Sequence, residues 1–177
     1  MSVGRTPNAE PVGTSGHPEQ AAQTWVDAAP FRAHVAHLMA AAGLSVDAMA
    51  LLAGVPTKTV ARLMADRATG RPVPRRINPE LARSLLEVRC SDVRALRCRI
   101  VGAQTVIGRA RLLRSLGWSE SRLAAALGVD RRSLAGLLDG SATTCTALVA
   151  LRAAAVVRTV RAIGSLEPAA VIGRDVA

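Results

Sequence analysis

The sequence predicts an all-α fold in which two small helical domains, each containing a helix-turn-helix, are joined by a short bridging helix. Three observations carry that expectation. Gly43–Asp66, GLSVDAMALLAGVPTKTVARLMAD, sets two short amphipathic segments on either side of Gly54. Gly117–Gly140, GWSESRLAAALGVDRRSLAGLLDG, repeats the pattern 74 residues further on without a gap. A longer helical stripe precedes each copy, as it must, because two short helices cannot close a core by themselves.

Residues 1–24 are rich in Gly, Pro, Ser and Thr, lack an apolar period, and are expected to be a disordered tail. Phe31, Val35, Leu38 and Met39 then recur at helical spacing and predict a supporting helix from about Asp27 to Ala42, with His34 and His37 at the edge of its face. Ser45 is the candidate N-cap of the next helix. Ala50 is the small residue that a steep helix crossing needs, and Gly54 makes a left-handed turn without the steric cost of a Cβ. Val60, Leu63 and Met64 give the second helix a buried stripe, which turns Thr57, Lys58, Ala61 and Arg62 outward with Thr59 beside them. Such a face suits the DNA major groove, where Lys and Arg pair with guanine edges or phosphates and Thr or Ala meets a thymine methyl.

Arg67–Ile77, RATGRPVPRRI, is broken by proline and glycine and is expected as a loop beside a DNA backbone, with Arg67, Arg71, Arg75 and Arg76 as candidate phosphate contacts. Its Gly70-Arg71-Pro72 resembles the core of minor-groove AT-hook arms; the plain alternative is a solvated connector. Asn78-Pro79-Glu80 restarts a helix, and Leu81, Leu85, Leu86 and Val88 close the first domain, residues 25–90. A bridging helix from about Ser91 to Ile100 fills the 91–102 linker, its Arg94, Arg97 and Arg99 expected as solvated surface.

The second domain, residues 103–162, repeats the plan. Its supporting helix runs from about Ala103 to Leu116 and offers Arg109, Arg111 and Arg114 as further phosphate candidates. Ser119, Ala124, Gly128, Leu134 and Leu137 stand where Ser45, Ala50, Gly54, Val60 and Leu63 stand in the first copy. The outward set becomes Asp130, Arg131, Arg132 and Ser133, with Ala135 and Gly136. Asp130 repels phosphate, yet a carboxylate also reads a cytosine amino group or caps a helix. A closing helix from about Thr144 to Val160 precedes an expected tail, residues 163–177.

At 177 residues and 50% hydrophobic, the chain buries one ordinary core or two small ones, and the repeat favours two. A net charge of +10, from 22 arginines and the single Lys58, favours a polyanionic partner, nucleic acid first. Arginine in place of lysine, with abundant Ala, Val, Leu and Gly, also fits the coding bias of a GC-rich genome. Trp25, Phe31 and Trp118 are the only aromatics, too few for base-stacking platforms, which puts duplex DNA ahead of single strands and RNA. No apolar stretch is long enough for a membrane span and the N-terminus has no signal-peptide core, so the expected location is cytoplasmic, on the nucleoid. Cys90, Cys98 and Cys145 form no CxxC pair and are expected as reduced, buried small hydrophobes rather than metal ligands.

The spacing of Ala50, Gly54, Val60 and Leu63, with the continuation RRINPELARSLLEV at Arg75–Val88, resembles the lambda-repressor-like (Cro/C1-type) helix-turn-helix domains. The order of one such domain, a basic loop running into R-I-x-P-x-x-A-x-x-L-L at Arg76–Leu86, then GW-S and a second helix-turn-helix, resembles the two-domain regulators of actinobacteria and their phages. The nearest type is the mycobacteriophage immunity repressors with two DNA-binding domains. The resemblance covers Trp25–Arg161 and implies a helical fold, DNA binding and contacts through the outward positions of each recognition helix. Asp130 and the single lysine depart from the pattern.

The expected function is that of a sequence-specific transcriptional regulator of double-stranded DNA, a repressor because no effector domain remains once the two modules are counted. Two unlike recognition helices imply an asymmetric site read by a monomer or weak homodimer. The alternative is a helical protein-interaction module, sigma-factor- or antitoxin-like, in which the second helix-turn-helix docks a protein partner. No nucleophile–base pair, carboxylate dyad or phosphate loop stands out, so neither catalysis nor a cofactor is expected.

Overall fold

Nine helices and four very short strands make up the described residues, 25–65 and 72–164, of the computed structural model, in keeping with an all-α class. The expected N-terminal tail and residues 165–177 of the C-terminal one lie outside them, as do residues 66–71.

Helix α1 (Ala29–Ala42) has proline in its first turn, where a missing N–H is harmless, and ends at Gly43 with φ +57°. It starts two residues later than expected because Asp27 belongs to a strand. β1 (Val26–Asp27) pairs antiparallel with β2 (Arg76–Ile77), and Asp27 Oδ1 accepts from Ala29 N at 3.0 Å. Ser45 caps α2 (Val46–Leu52), its Oγ accepting from Ala48 N at 3.2 Å. The chain turns through Gly54, φ +66°, into α3 (Thr57–Leu63), which packs on α2 with Ala50 fully buried. Asn78 Oδ1 accepts from Glu80 N at 2.8 Å to cap α4 (Pro79–Glu87). In α5 (Cys90–Cys98), Asp92 Oδ2 accepts from Arg89 N at 2.8 Å, satisfying one of the first-turn donors.

The second half repeats this order. β3 (Ile100–Gly102) pairs antiparallel with β4 (Thr144–Thr146), and between them run α6 (Gln104–Ser115), α7 (Glu120–Leu127) and α8 (Arg131–Asp139), with α9 (Ala147–Gly164) last. Ser119 Oγ caps α7 by accepting from Arg122 N at 3.3 Å, and Gly128 takes φ +67°. The repeat is therefore larger than the two-helix corner. Even the joints match: Ala28 N donates to Arg75 O at 2.9 Å, and Ala103 N to Thr143 O at 3.0 Å. Leu63 to Arg75 spans twelve residues where Leu137 to Thr143 spans six, so the first copy carries six more.

The strands are what the sequence reading missed. Arg76–Ile77 closes a stretch expected as loop, the bridging helix stops at Cys98 rather than Ile100, and the closing helix starts at Ala147 rather than Thr144. Elements of two or three residues are too short to display a two-residue period. At its other end α9 continues to Gly164, two residues into the expected tail. Cys98 is exposed and Cys90 and Cys145 are half-buried, so burial of all three does not hold; burial pushes the Cys145 thiol up.

Each half builds a core, but α9 belongs to both. Leu148 and Ala155 lie in the first core, with Leu151 packed against it, while Val149, Ala153 and Val157 lie in the second. A helix apolar on two sides needs two partners, and here it has them. α5 packs on α1 and α9, so the segment expected as a linker is part of the body. Polar ties reinforce the shared wall. Thr159 Oγ1 donates to Asp47 Oδ2 at 2.7 Å, and Arg152 reaches both halves at once. Its Nη2 donates to Ala42 O at 2.7 Å and Gly43 O at 3.2 Å, its Nη1 to Leu127 O at 3.2 Å. These carbonyls end α1 and α7, where unpaired acceptors and the negative end of the helix dipole favour a cation. Burial, with the neighbouring Arg97, lowers the Arg152 pKa from the usual arginine value.

Gly108 sits inside α6, and a Cβ built there meets nothing within 4 Å. Gly108→Ala is expected to raise stability by about 0.5–1 kcal/mol, the usual penalty of a mid-helix glycine. Thermal unfolding measures this, and a lowered Tm would show that the space is not free.

Candidate nucleic-acid interface

Burial of Val60 and Leu63 fixes which side of α3 faces out. Lys58, Ala61 and Arg62 are exposed and Thr59 is half-buried. Thr57 departs from expectation: it is half-buried, and its Oγ1 is enclosed with no hydrogen-bond partner among the described residues. It opens the helix directly after Pro56.

Beside α3 the β1–β2 pair sets the far wall of a cleft of about 370 Å³, lined by Trp25, Lys58, Thr59, Arg62 and Arg76 among others. Alternation along the strand puts Ile77 into the core and turns Arg76 out, with Arg75 exposed next to it. The residue that assembles this wall is Arg32, which the sequence reading missed. Its Nε donates to Leu63 O at 3.0 Å and its Nη2 to Pro74 O at 2.9 Å, tying the end of α3 to the returning loop. Its only sequence signal is a cation next to Phe31 in the apolar stripe of α1. Arg67 and Arg71, and with them most of Gly70-Arg71-Pro72, lie outside the described residues.

In the second half Leu134 and Leu137 are buried and Arg131, Arg132, Ser133 and Ala135 are exposed. Asp130 is occupied as the cap of α8: Oδ1 accepts from Ser133 N at 2.7 Å and Oδ2 from Ser133 Oγ at 3.1 Å. Chiefly the Ser133 backbone N–H holds its carboxyl below the usual carboxylate range. Arg111 Nε donates to Leu138 O at 3.1 Å, so in both halves an arginine of the supporting helix holds the end of the exposed one. The other α6 arginines are also engaged inside the chain. Arg109 Nη1 donates to Ala150 O at 3.4 Å, and Arg114 Nη1 to Trp118 O at 2.6 Å while its Nη2 pairs with Glu120 at 3.5 Å. Arg97, expected as solvated surface, donates to Ala41 O at 2.6 Å. His34, from the edge of α1, donates from Nε2 to Val88 O at 3.0 Å.

Asp130→Asn keeps the capping oxygen and removes one negative charge, so duplex affinity at low salt is expected to rise a few-fold. An unchanged affinity would place the start of α8 away from phosphate. The same substitution carries a pH signature. The folded-state pKa lies below the ordinary value of 3.8, so the stabilisation is complete above that pH and lost as pH falls through the folded value. Below about pH 4 the Tm of the parent protein should fall more steeply than that of Asp130→Asn.

The arrangement defines an all-α protein with two exposed short helices, each held at its end by an arginine of the helix behind it. No protein-family model, curated protein or solved structure matches the chain. Among the described residues no group of three His, Cys, Asp or Glu side chains is placed to hold a metal ion, and no single helix is long and apolar enough to cross a membrane.

Proposed function

We propose that the chain is a sequence-specific duplex-DNA-binding transcriptional regulator, a repressor of the lambda-repressor-like type, with two helix-turn-helix units. The observation that carries this reading is the repeated unit itself, which twice exposes a short helix whose outer face is cationic. Lys58 and Arg62 on α3, and Arg131 and Arg132 on α8, have no acidic partner among the described residues. Unpaired cations on a rigidly held helix fit phosphates and base edges. The two outer faces carry different residues, which supports an asymmetric site and a monomeric reader. Because α9 belongs to both cores, the two half-sites are expected at one fixed spacing.

Selection from a random duplex library at two salt concentrations tests this, using the parent protein, Lys58→Ala/Arg62→Ala and Arg131→Ala/Arg132→Ala. Loss of opposite ends of one asymmetric motif supports two reading heads. A palindromic footprint occupied by two chains overturns the monomer, and affinity that only falls with salt, without an enriched motif, overturns sequence reading. The occupied carboxylate of Asp130 beside Arg131 favours a second reading for α8, as a protein-docking surface; it predicts that the Arg131→Ala/Arg132→Ala variant selects the parent motif.

A further inference from the structure

The two halves differ at a place the proposed function does not use. In the first half the chain breaks between α4 and α5, and α5 closes over α1, with His34 on Val88 O at 3.0 Å and Arg97 on Ala41 O at 2.6 Å. In the second half α9 continues unbroken from β4 and packs along α6. A groove of about 470 Å³ remains there.

Its walls are two stripes of equal spacing. α6 contributes Thr105, Gly108, Arg109 and Leu112, at i, i+3, i+4 and i+7. α9 contributes Ala154, Val157, Arg158 and Arg161, at the same steps. Two rows at this spacing on either side of a groove suit an α-helix laid between them. The floor is open: a Cβ at Gly108 would touch nothing within 4 Å, and Leu112 is left 38% exposed. A mid-helix glycine is disfavoured by propensity, and packing within the chain does not require this one. The rim holds three arginines, and among the described residues no carboxylate lines the groove. Leu112 offers nothing to a phosphate backbone, whereas it suits an aliphatic face.

From these features we infer that the α6–α9 groove docks an amphipathic helix of a protein partner, with small and aliphatic residues on its inner face and Asp or Glu along its flanks. This goes beyond DNA reading and does not rest on it.

The test uses the full chain and two fluorescein-labelled peptides of about four helical turns, one with a Leu/Ala face flanked by Glu, the other its Lys-flanked twin. Anisotropy is expected to show the Glu peptide binding about tenfold or more tighter than the twin, and more tightly still at low salt. Gly108→Leu, which fills the floor, and Arg158→Glu, which reverses an exposed rim charge, are each expected to weaken the Glu peptide about tenfold. Gly108→Leu should leave duplex binding intact and Tm unchanged or raised, which separates this inference from the DNA reading. Equal binding of the twin, or indifference to Gly108→Leu, overturns the proposal. So does displacement of the peptide by duplex DNA. Tighter peptide binding after removal of residues 165–177 gives the groove to the chain's own C-terminal segment, and a dimer broken by Gly108→Leu gives it to a second copy; either overturns the partner reading.

Discussion

Replacing Lys58 and Arg62 together with alanine is expected to lower affinity for the selected duplex by roughly 100-fold or more, and to reduce the log–log salt slope by about two. Both side chains leave the same exposed face of α3 and share one cleft with Arg76, so they reach a single groove rather than separate ones. A base-edge or phosphate contact from such a cation is worth about 1–3 kcal/mol, and two together give the stated factor. Alanine is the best helix former, so α3 keeps its propensity and the loss reports on contact rather than folding. Anisotropy titration at two salt concentrations, with Tm as control, makes the measurement. A double variant that binds like its parent would remove α3 from the interface and with it the leading functional reading.

Gly128→Ala is expected to destabilise the protein by about 3 kcal/mol, whereas Gly54→Ala is expected to lose only about 1–2 kcal/mol. The two glycines hold the same place in the repeat and nearly the same φ, +67° and +66°, so the strain of a left-handed alanine is common to both. Their surroundings differ. A Cβ at Gly54 meets nothing within 4 Å, while at Gly128 it would overlap Nη1 of Arg152 and drive the guanidinium off the α1 and α7 carbonyls. The charge-assisted hydrogen bonds lost account for the remainder. For a chain of this size each kcal/mol is worth about 2–4 °C, so thermal unfolding resolves the pair. In an Arg152→Met background the two alanine substitutions should become equal in effect. A persisting difference would mean that something other than Arg152 depends on Gly128.

The corners were legible because each depends on local chemistry: a serine cap, a small residue at the crossing, a glycine at positive φ and an i, i+3 stripe. Ser45, Ala50, Gly54, Ser119, Ala124 and Gly128 all do in the fold what their spacing suggested. The outer face of α3 was legible except at Thr57, since helical periodicity assigns faces but not the crowding of a first turn. Strand pairs of two or three residues left no period to find. Arg32 and Arg152 were illegible for another reason: they act on carbonyls 25 to 110 positions away, and backbone acceptors carry no sequence signature. The double duty of α9 did leave a trace. Leu148, Leu151 and Ala155 mark one side of it and Val149, Ala153 and Val157 another, too much apolar surface for a helix with a single partner.

That shared helix also sets the order of events during synthesis. The first core draws on Leu148 and Ala155 and the second on Val157, so neither is complete while the ribosome is still upstream of those codons. The nascent first half, for all its resemblance to a finished module, is an unsealed one with apolar surface awaiting its last wall. A chain cut short by a nonsense codon before α9 therefore lacks a wall of both cores, and neither half is expected to reach its full stability.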